Sequence, residues 1–179
     1  MTKIRLFVAT VMVLASAGVA NAGGQEGSIG VGAEYQISGL GGASMNYDAG
    51  MFHAGGFLAF YDAKGANNTV FEVGGRFYYH LHSTAMSDFG LGGSIGIANV
   101  DRNAFGGMAA ESATLIFVEP GMQIRLFLAS NVALSVAAGI VIGTSDADGV
   151  GVTGQSFSGN SSLSGLGFTG GAGVHYYFF

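Results

Sequence analysis

Few side chains in this sequence can do chemistry. Histidine occurs four times, at His53, His80, His82 and His175. Residues two apart on a strand share a face, so His80 and His82 are expected side by side, with His53 near the same end. As a metal site the set is weak, because no further ligand is fixed by spacing and the chain has no cysteine. Asp146-Ala147-Asp148-Gly149 echoes the start of a calcium loop but lacks the later ligands, and reads as a solvated turn. The many glycines imply no phosphate loop, since such a loop needs a strand-to-helix turn that is missing here. No metal and no other cofactor is expected, and no catalytic residue stands out.

Charges that interrupt apolar stretches are more informative. Glu34, Glu72, Arg76, Glu119 and Arg125 each lie inside a run of otherwise apolar or tiny residues. Burying an unpaired charge costs several kcal/mol, so both arginines are expected among carboxylates. Arg76 has Glu72 on its own segment and Glu34 and Glu119 on others as candidate partners. Asp48, Asp88 and His82 fall near one end of the same segments.

The elements that must hold these charges follow from periodicity. Charged residues make up 9% of the chain, where a soluble domain carries about 25%, so something apolar must cover the outside. One stretch, Leu126 to Ser145, has the roughly 20-residue length of a membrane helix. It is broken at Ala129-Ser130-Asn131, and beyond that point Val132, Leu134, Val136, Ala138, Ile140 and Ile142 alternate with Ala133, Ser135, Ala137 and Gly139. Period two marks a strand. The same alternation predicts strands at Ser28–Ser38, Gly41–Asp48, Met51–Asp62, Thr69–His82, Ser87–Val100, Ser112–Leu128, Asn131–Thr144 and Gly165–Phe179. Each has one greasy face and one face of polar or very small residues. With charges in mid-strand on the polar face and aromatics near the ends of the greasy one, the pattern suits a barrel turned inside out for lipid.

An eight-stranded barrel is just wide enough for its side chains to fill. The expected lining pairs bulky His53, Phe57, Tyr61, Arg76, Tyr78, His80, Arg125, His175 and Tyr177 with small residues such as Gly30, Gly32, Gly90, Gly92, Gly96 and Gly139. Connection lengths agree with the topology. Ala49-Gly50, Ser83–Met86 and Ala129-Ser130 are tight, as periplasmic turns should be. Asp101–Glu111 and Ser145–Ser164 are long and rich in Gly, Ser, Asn or Asp, as outer loops should be. Gly39-Leu40 is short for an outer loop.

The ends of the chain bear on location. Lys3 and Arg5, the apolar run Leu6–Ala17 and the small residues of Ala20-Asn21-Ala22 form a signal-peptide pattern. The expected organisation is a signal peptide over 1–22 and a β-barrel domain over 23–179. The mature part keeps four basic residues (Lys64, Arg76, Arg102 and Arg125) against eleven acidic ones, a formal charge of −7. Nucleic acid needs a basic footprint and is not an expected partner.

The chain closes on Val174, His175, Tyr176, Tyr177, Phe178 and Phe179. Val174, Tyr176 and Phe178 share one face, and this aromatic-ended alternation resembles the C-terminal signal of bacterial outer-membrane barrels. That likeness implies recognition by the barrel assembly machinery, with Phe178 on the lipid face and Phe179 a one-residue extension. Over Ser28–Phe179 the chain resembles the small eight-stranded outer-membrane barrels, the OmpA- and OmpX-like proteins. The resemblance implies an all-β, antiparallel, up-and-down transmembrane barrel in the outer membrane, surrounded by lipid and expected as a monomer. It leaves the interior network open to two readings, a structural plug or a gate to a narrow ion path. The corresponding roles are a structural or surface-interaction barrel and a narrow, cation-favouring conductor. Some barrels of this size modify lipid, but the histidines here fall inward or at the periplasmic end, and no enzyme is expected.

Signal cleavage after Ala22 gives a mature protein that begins at Gly23 and is recovered in detergent-extracted membrane. N-terminal sequencing of the purified protein checks this, and a retained Met1 would contradict it.

Overall fold

The computed structural model describes residues 25–37, 40–62, 69–101, 112–143 and 166–178. Eight strands follow in chain order: β1 (Ile29–Gln36), β2 (Gly41–Asp48), β3 (Phe52–Asp62), β4 (Thr69–Ser83), β5 (Ser87–Asp101), β6 (Ser112–Ala129), β7 (Val132–Gly143) and β8 (Leu166–Phe178). Every described end lies within two residues of the position expected from alternation. Each strand pairs antiparallel with its neighbour, and β1 pairs with β8 from Ile29↔Phe178 to Gln36↔Gly171, which closes the barrel.

Three tight turns gather at one end. Between β2 and β3, Gly50 adopts φ +76°, open to glycine at little cost, and its N–H donates to Asp48 Oδ1 at 2.9 Å. Between β4 and β5, Thr84 Oγ1 accepts from the N–H groups of Met86 and Ser87 at 3.2 and 3.0 Å. Ser130 and Asn131 join β6 to β7. The longer connections 63–68, 102–111 and 144–165 join strands at the opposite, loop end, and they lie outside the described residues, as do residues 1–24, which include the segment expected as a signal peptide, and Phe179.

The outer wall is apolar. On β4, Phe71, Val73, Phe77 and Tyr79 point outward, while Val70, Glu72 and Tyr78 are buried. Tyr47, Tyr79, Tyr176 and Phe178 ring the turn end, and Tyr35, Phe60, Phe71 and Phe168 ring the loop end. Phe71 and Tyr79 are eight residues apart on β4, about 27 Å along a strand at about 3.4 Å per residue. A tilt of about 40° brings this to about 20 Å, close to the apolar band of a membrane-spanning barrel.

Inside, large rings sit against the glycines paired with them on neighbouring strands. A Cβ added at Gly30 would lie 2.7 Å from the Tyr177 ring, and one added at Gly96 would lie 2.6 Å from the Phe117 ring. Gly74 faces Phe57 in the same way. Close packing at this density tolerates no extra methyl.

Two expectations about the lining are corrected. Tyr61 was expected to fill the lumen but sits at the loop end of β3, about half exposed, because the wall ends there. His82 was expected on the face of His80. A bulge between them shifts the register, so that His80 opposes Gly90 while His82 opposes Phe89 and is exposed. An unpaired residue reverses the alternation of every position beyond it.

The two faces should respond differently to the same added methyl. Gly96→Ala is expected to destabilise the barrel by about 1–3 kcal/mol through overpacking. Gly75→Ala on the outer wall, where a Cβ meets only Gly55 O at 3.6 Å, should change stability by less than about 0.5 kcal/mol. Denaturant midpoints of the barrel refolded in detergent check the contrast.

Candidate functional site: the barrel interior

The interior holds three levels between its ends. At the turn end stands Arg125 of β6, about 1% exposed. Its Nη2 lies 2.7 Å from Asp88 Oδ2 of β5 and 2.7 Å from Asp48 Oδ2 of β2. Nη1 donates to the Tyr177 hydroxyl of β8 at 3.1 Å, and Nη2 contacts His80 Nε2 of β4 at 3.1 Å. The guanidinium also stacks over Phe127 at 5.4 Å. One side chain therefore joins five strands across the lumen. Arginine suits this place because its charge is permanent and its fork has several donors in a fixed plane.

His53 of β3 completes this level. Its Nδ1 is 2.8 Å from His80 Nε2, and His80 Nδ1 is 2.7 Å from Gly50 O in the β2–β3 turn. The chain of imidazoles thus runs from the lumen to the backbone of the turn.

At mid-height, Arg76 of β4 meets Glu34 of β1 in a bidentate pair, with both N–H···O distances 2.6 Å. These strands are not neighbours, so the pair spans the lumen. Parallel charged hydrogen bonds of this kind are among the strongest a side chain makes. Arg76 also lies over the Phe57 ring at 4.9 Å. Glu34 Oε1 is 3.2 Å from His175 Nε2, which is 2.6 Å from Ser44 Oγ. Beside the pair lies a chamber of about 40 Å³ open to water centres, lined by Glu34, Arg76, Tyr78, Glu119, Gln123 and Thr169 among others. At about 10–15 Å³ per water this holds a few molecules.

Toward the loop end the lumen turns apolar. Leu40, Phe57, Ala59, Val70, Ala98, Phe117 and Val141 form one buried cluster. Glu72 belongs to this level, with Ala59 and Ala98 as its cross-strand neighbours. It is about 2% exposed and its Oε2 has no hydrogen-bond partner among the described residues. Glu119 lies nearer mid-height and accepts from Ser94 Oγ at 2.7 Å.

Of the five charges singled out in the sequence, Glu34 and Arg76 are joined directly, while Arg125 binds the two aspartates of the turn end. Glu72 makes no ion pair with Arg76 among the described contacts, although both are on β4. Asp48 and Asp88, near that end by strand position, find their partner in Arg125, and Ser44 and Ser94 join the network as further members. Strand parity marks Ser44 and Ser94 as inward, but which inward residues meet depends on how far the strands are staggered. On β8, Val174, Tyr176 and Phe178 face outward, while His175 and Tyr177 are buried.

An apolar, aromatic-ringed wall around a polar, cross-linked lumen defines a transmembrane β-barrel of eight strands. Comparison of the sequence with protein-family models and with curated proteins gives no match. Solved structures do match. The N-terminal β-barrel domain of Pseudomonas aeruginosa OprF aligns with a TM-score of 0.57 at 12% identity, covering 87% of this chain and 99% of that one. Ail, the attachment invasion locus protein of Yersinia pestis, aligns at 12% identity and a TM-score of 0.43, covering 86% and 100%. Neisserial surface protein A aligns at 14% identity and a TM-score of 0.43, covering 84% and 94%. The likeness to the OprF domain is one of fold.

Removing one partner of a buried pair leaves the other charge uncompensated, a loss of about 3–5 kcal/mol. Arg76→Ala should therefore lower the unfolding midpoint far more than Arg76→Lys, which keeps the charge but not the fork. A gel-shift unfolding series checks this, and equal midpoints for wild type and Arg76→Ala would mean that the pair contributes nothing.

Proposed function

We propose that this chain is an integral outer-membrane β-barrel whose lumen is closed by its own side chains. Its role is structural or interactive at the membrane surface, and solutes do not pass through it. The observation that carries this is the pair of cross-lumen struts, Arg125 to Asp48 and Arg76 to Glu34, each tying together strands that are not neighbours, with Asp88 of the adjacent strand held on the same Arg125 guanidinium. Buried ion pairs of good geometry rarely dissociate, because a separated charge would stay in a confined apolar space. The apolar cluster at the loop end adds a barrier of a second kind.

The outward residues would be covered by outer-membrane lipid. The alternation Val174, Tyr176, Phe178, continuing to Phe179, would serve the barrel assembly machinery. The barrel would act as a monomer, and the three enclosed histidines, each in contact with a neighbouring polar group, have no part in catalysis.

A second role is favoured by one observation. Among the described residues the lumen carries Glu34, Asp48, Glu72, Asp88 and Glu119 against Arg76 and Arg125, so any opening would prefer cations. Planar-bilayer recording of the mature barrel at neutral pH separates the two. A silent bilayer is expected. Resolved, cation-selective single-channel steps from wild type would overturn the closed lumen and establish the conductor.

A further inference from the structure

Contacts at the turn end decide which nitrogen of each of two histidine rings carries the proton. An arginine N–H can only donate. Arg125 Nη2 lies 3.1 Å from His80 Nε2, so that nitrogen presents a lone pair. The single proton of His80 then sits on Nδ1 and is donated to Gly50 O at 2.7 Å. His53 Nδ1, 2.8 Å from the same Nε2, shares that one lone pair as a second donor, which leaves the lone pair of His53 on Nε2, without a hydrogen-bond partner among the described residues. Both rings are neutral, and both carry their proton on Nδ1, the tautomer that free histidine disfavours in water.

We propose that this relay is an acid-sensitive lock on the turn end of the barrel, an inference that rests on the closed lumen above. A proton taken from the medium onto His80 Nε2 would aim an N–H at two other donors, Arg125 Nη2 and His53 Nδ1. Either the ring leaves its place, and the β2–β3 turn loses its tie to the lumen through Gly50 O, or His53 moves its own proton to Nε2, toward Gln123 Oε1, which has no partner among the described residues. In both cases Arg125 loses an acceptor. The lock opens because an imidazolium at His80 would stand 3.1 Å from the Arg125 guanidinium, whose two carboxylates are already engaged.

Every element packed against the relay bears on this. Asp48 of β2 and Asp88 of β5 both lie against Arg125 Nη2, so their charges are already committed to the guanidinium. Tyr78 stacks on His53 from β4, and Tyr177 faces Arg125 from β8. His175 of β8 turns instead to Ser44 and Glu34, and Arg76 is held by that same Glu34. No carboxylate among the described contacts hydrogen-bonds either ring of the relay, so an imidazolium there would have only the aspartates already shared with Arg125 as counter-charges.

The test uses the whole mature barrel in detergent micelles and in planar bilayers, between pH 8 and pH 5, the range over which histidine titrates. Imidazole ¹⁵N spectra at pH 8 should show His53 and His80 as Nδ1–H tautomers. On acidification the two signals should change together, the melting midpoint should fall by several degrees, and conductance steps should appear. H53Q and H80Q should lose this acid response, while H82Q, outside the lumen, should keep it. An Nε2–H tautomer on His80 at pH 8, or a wild type unchanged down to pH 5, would overturn the lock. So would an acid response that persists in H53Q and H80Q, which would assign it to the aspartates. Should either variant fail to fold, the wild-type spectra and titration still decide. Conductance already present at pH 8 would defeat the closed lumen instead, and leave the tautomers and their titration to judge the lock separately.

Discussion

A backbone N–H or C=O exposed to hydrocarbon has no water to bond. Each unpaired group costs several kcal/mol, so a sheet in a bilayer must have no edge. The pairing of β1 with β8 meets this demand. Much else in the molecule follows from it. Closing only eight strands makes a tube about as wide as two facing side chains, which forces rings onto glycines, as Tyr177 onto Gly30 and Phe117 onto Gly96. The wall, facing lipid, must be apolar, so polar side chains have nowhere to go but inward.

Confinement then decides what those polar groups do. In a wide barrel water would solvate them, but here they must satisfy one another. The two inward arginines solve this differently. Arg76 meets a single carboxylate with its full fork, whereas Arg125 is shared among two carboxylates, a phenol and an imidazole. The first is a strut between two walls, and the second is a hub whose members are mutually dependent. Glu72, set among apolar neighbours with a bare Oε2, shows that satisfaction is uneven along the lumen, and the acidic excess makes the interior a place that favours positive charge.

The likeness to the OprF barrel domain at 12% identity has the same root. Closure, period-two patterning and large-against-small packing can be met by very many sequences. None of them dictates which carboxylate meets which guanidinium. Two barrels can share every strand and differ in every contact that would govern a solute or a proton, so the fold carries over between them and the interior chemistry does not.

How much of this is legible in the residues alone depends on range. Alternation along Phe71–Leu81 or Val132–Ile142 is a property of neighbours two apart, and it determined strand number, strand ends to within two residues and which residues face lipid. The low charge content and the inward position of Glu34, Arg76 and Arg125 were legible for the same reason. What the tertiary structure decided lies across strands. That Arg76 takes Glu34 and not Glu72, that Arg125 collects Asp48 and Asp88, and that His53 reaches His80 all depend on the stagger between strands, which no local pattern encodes. His82 is the sharpest case: a single-residue bulge after His80 turned it out of the lumen, because one unpaired residue inverts a period of two, and the bulge is set by pairing with β5 that the residues of β4 do not specify by themselves.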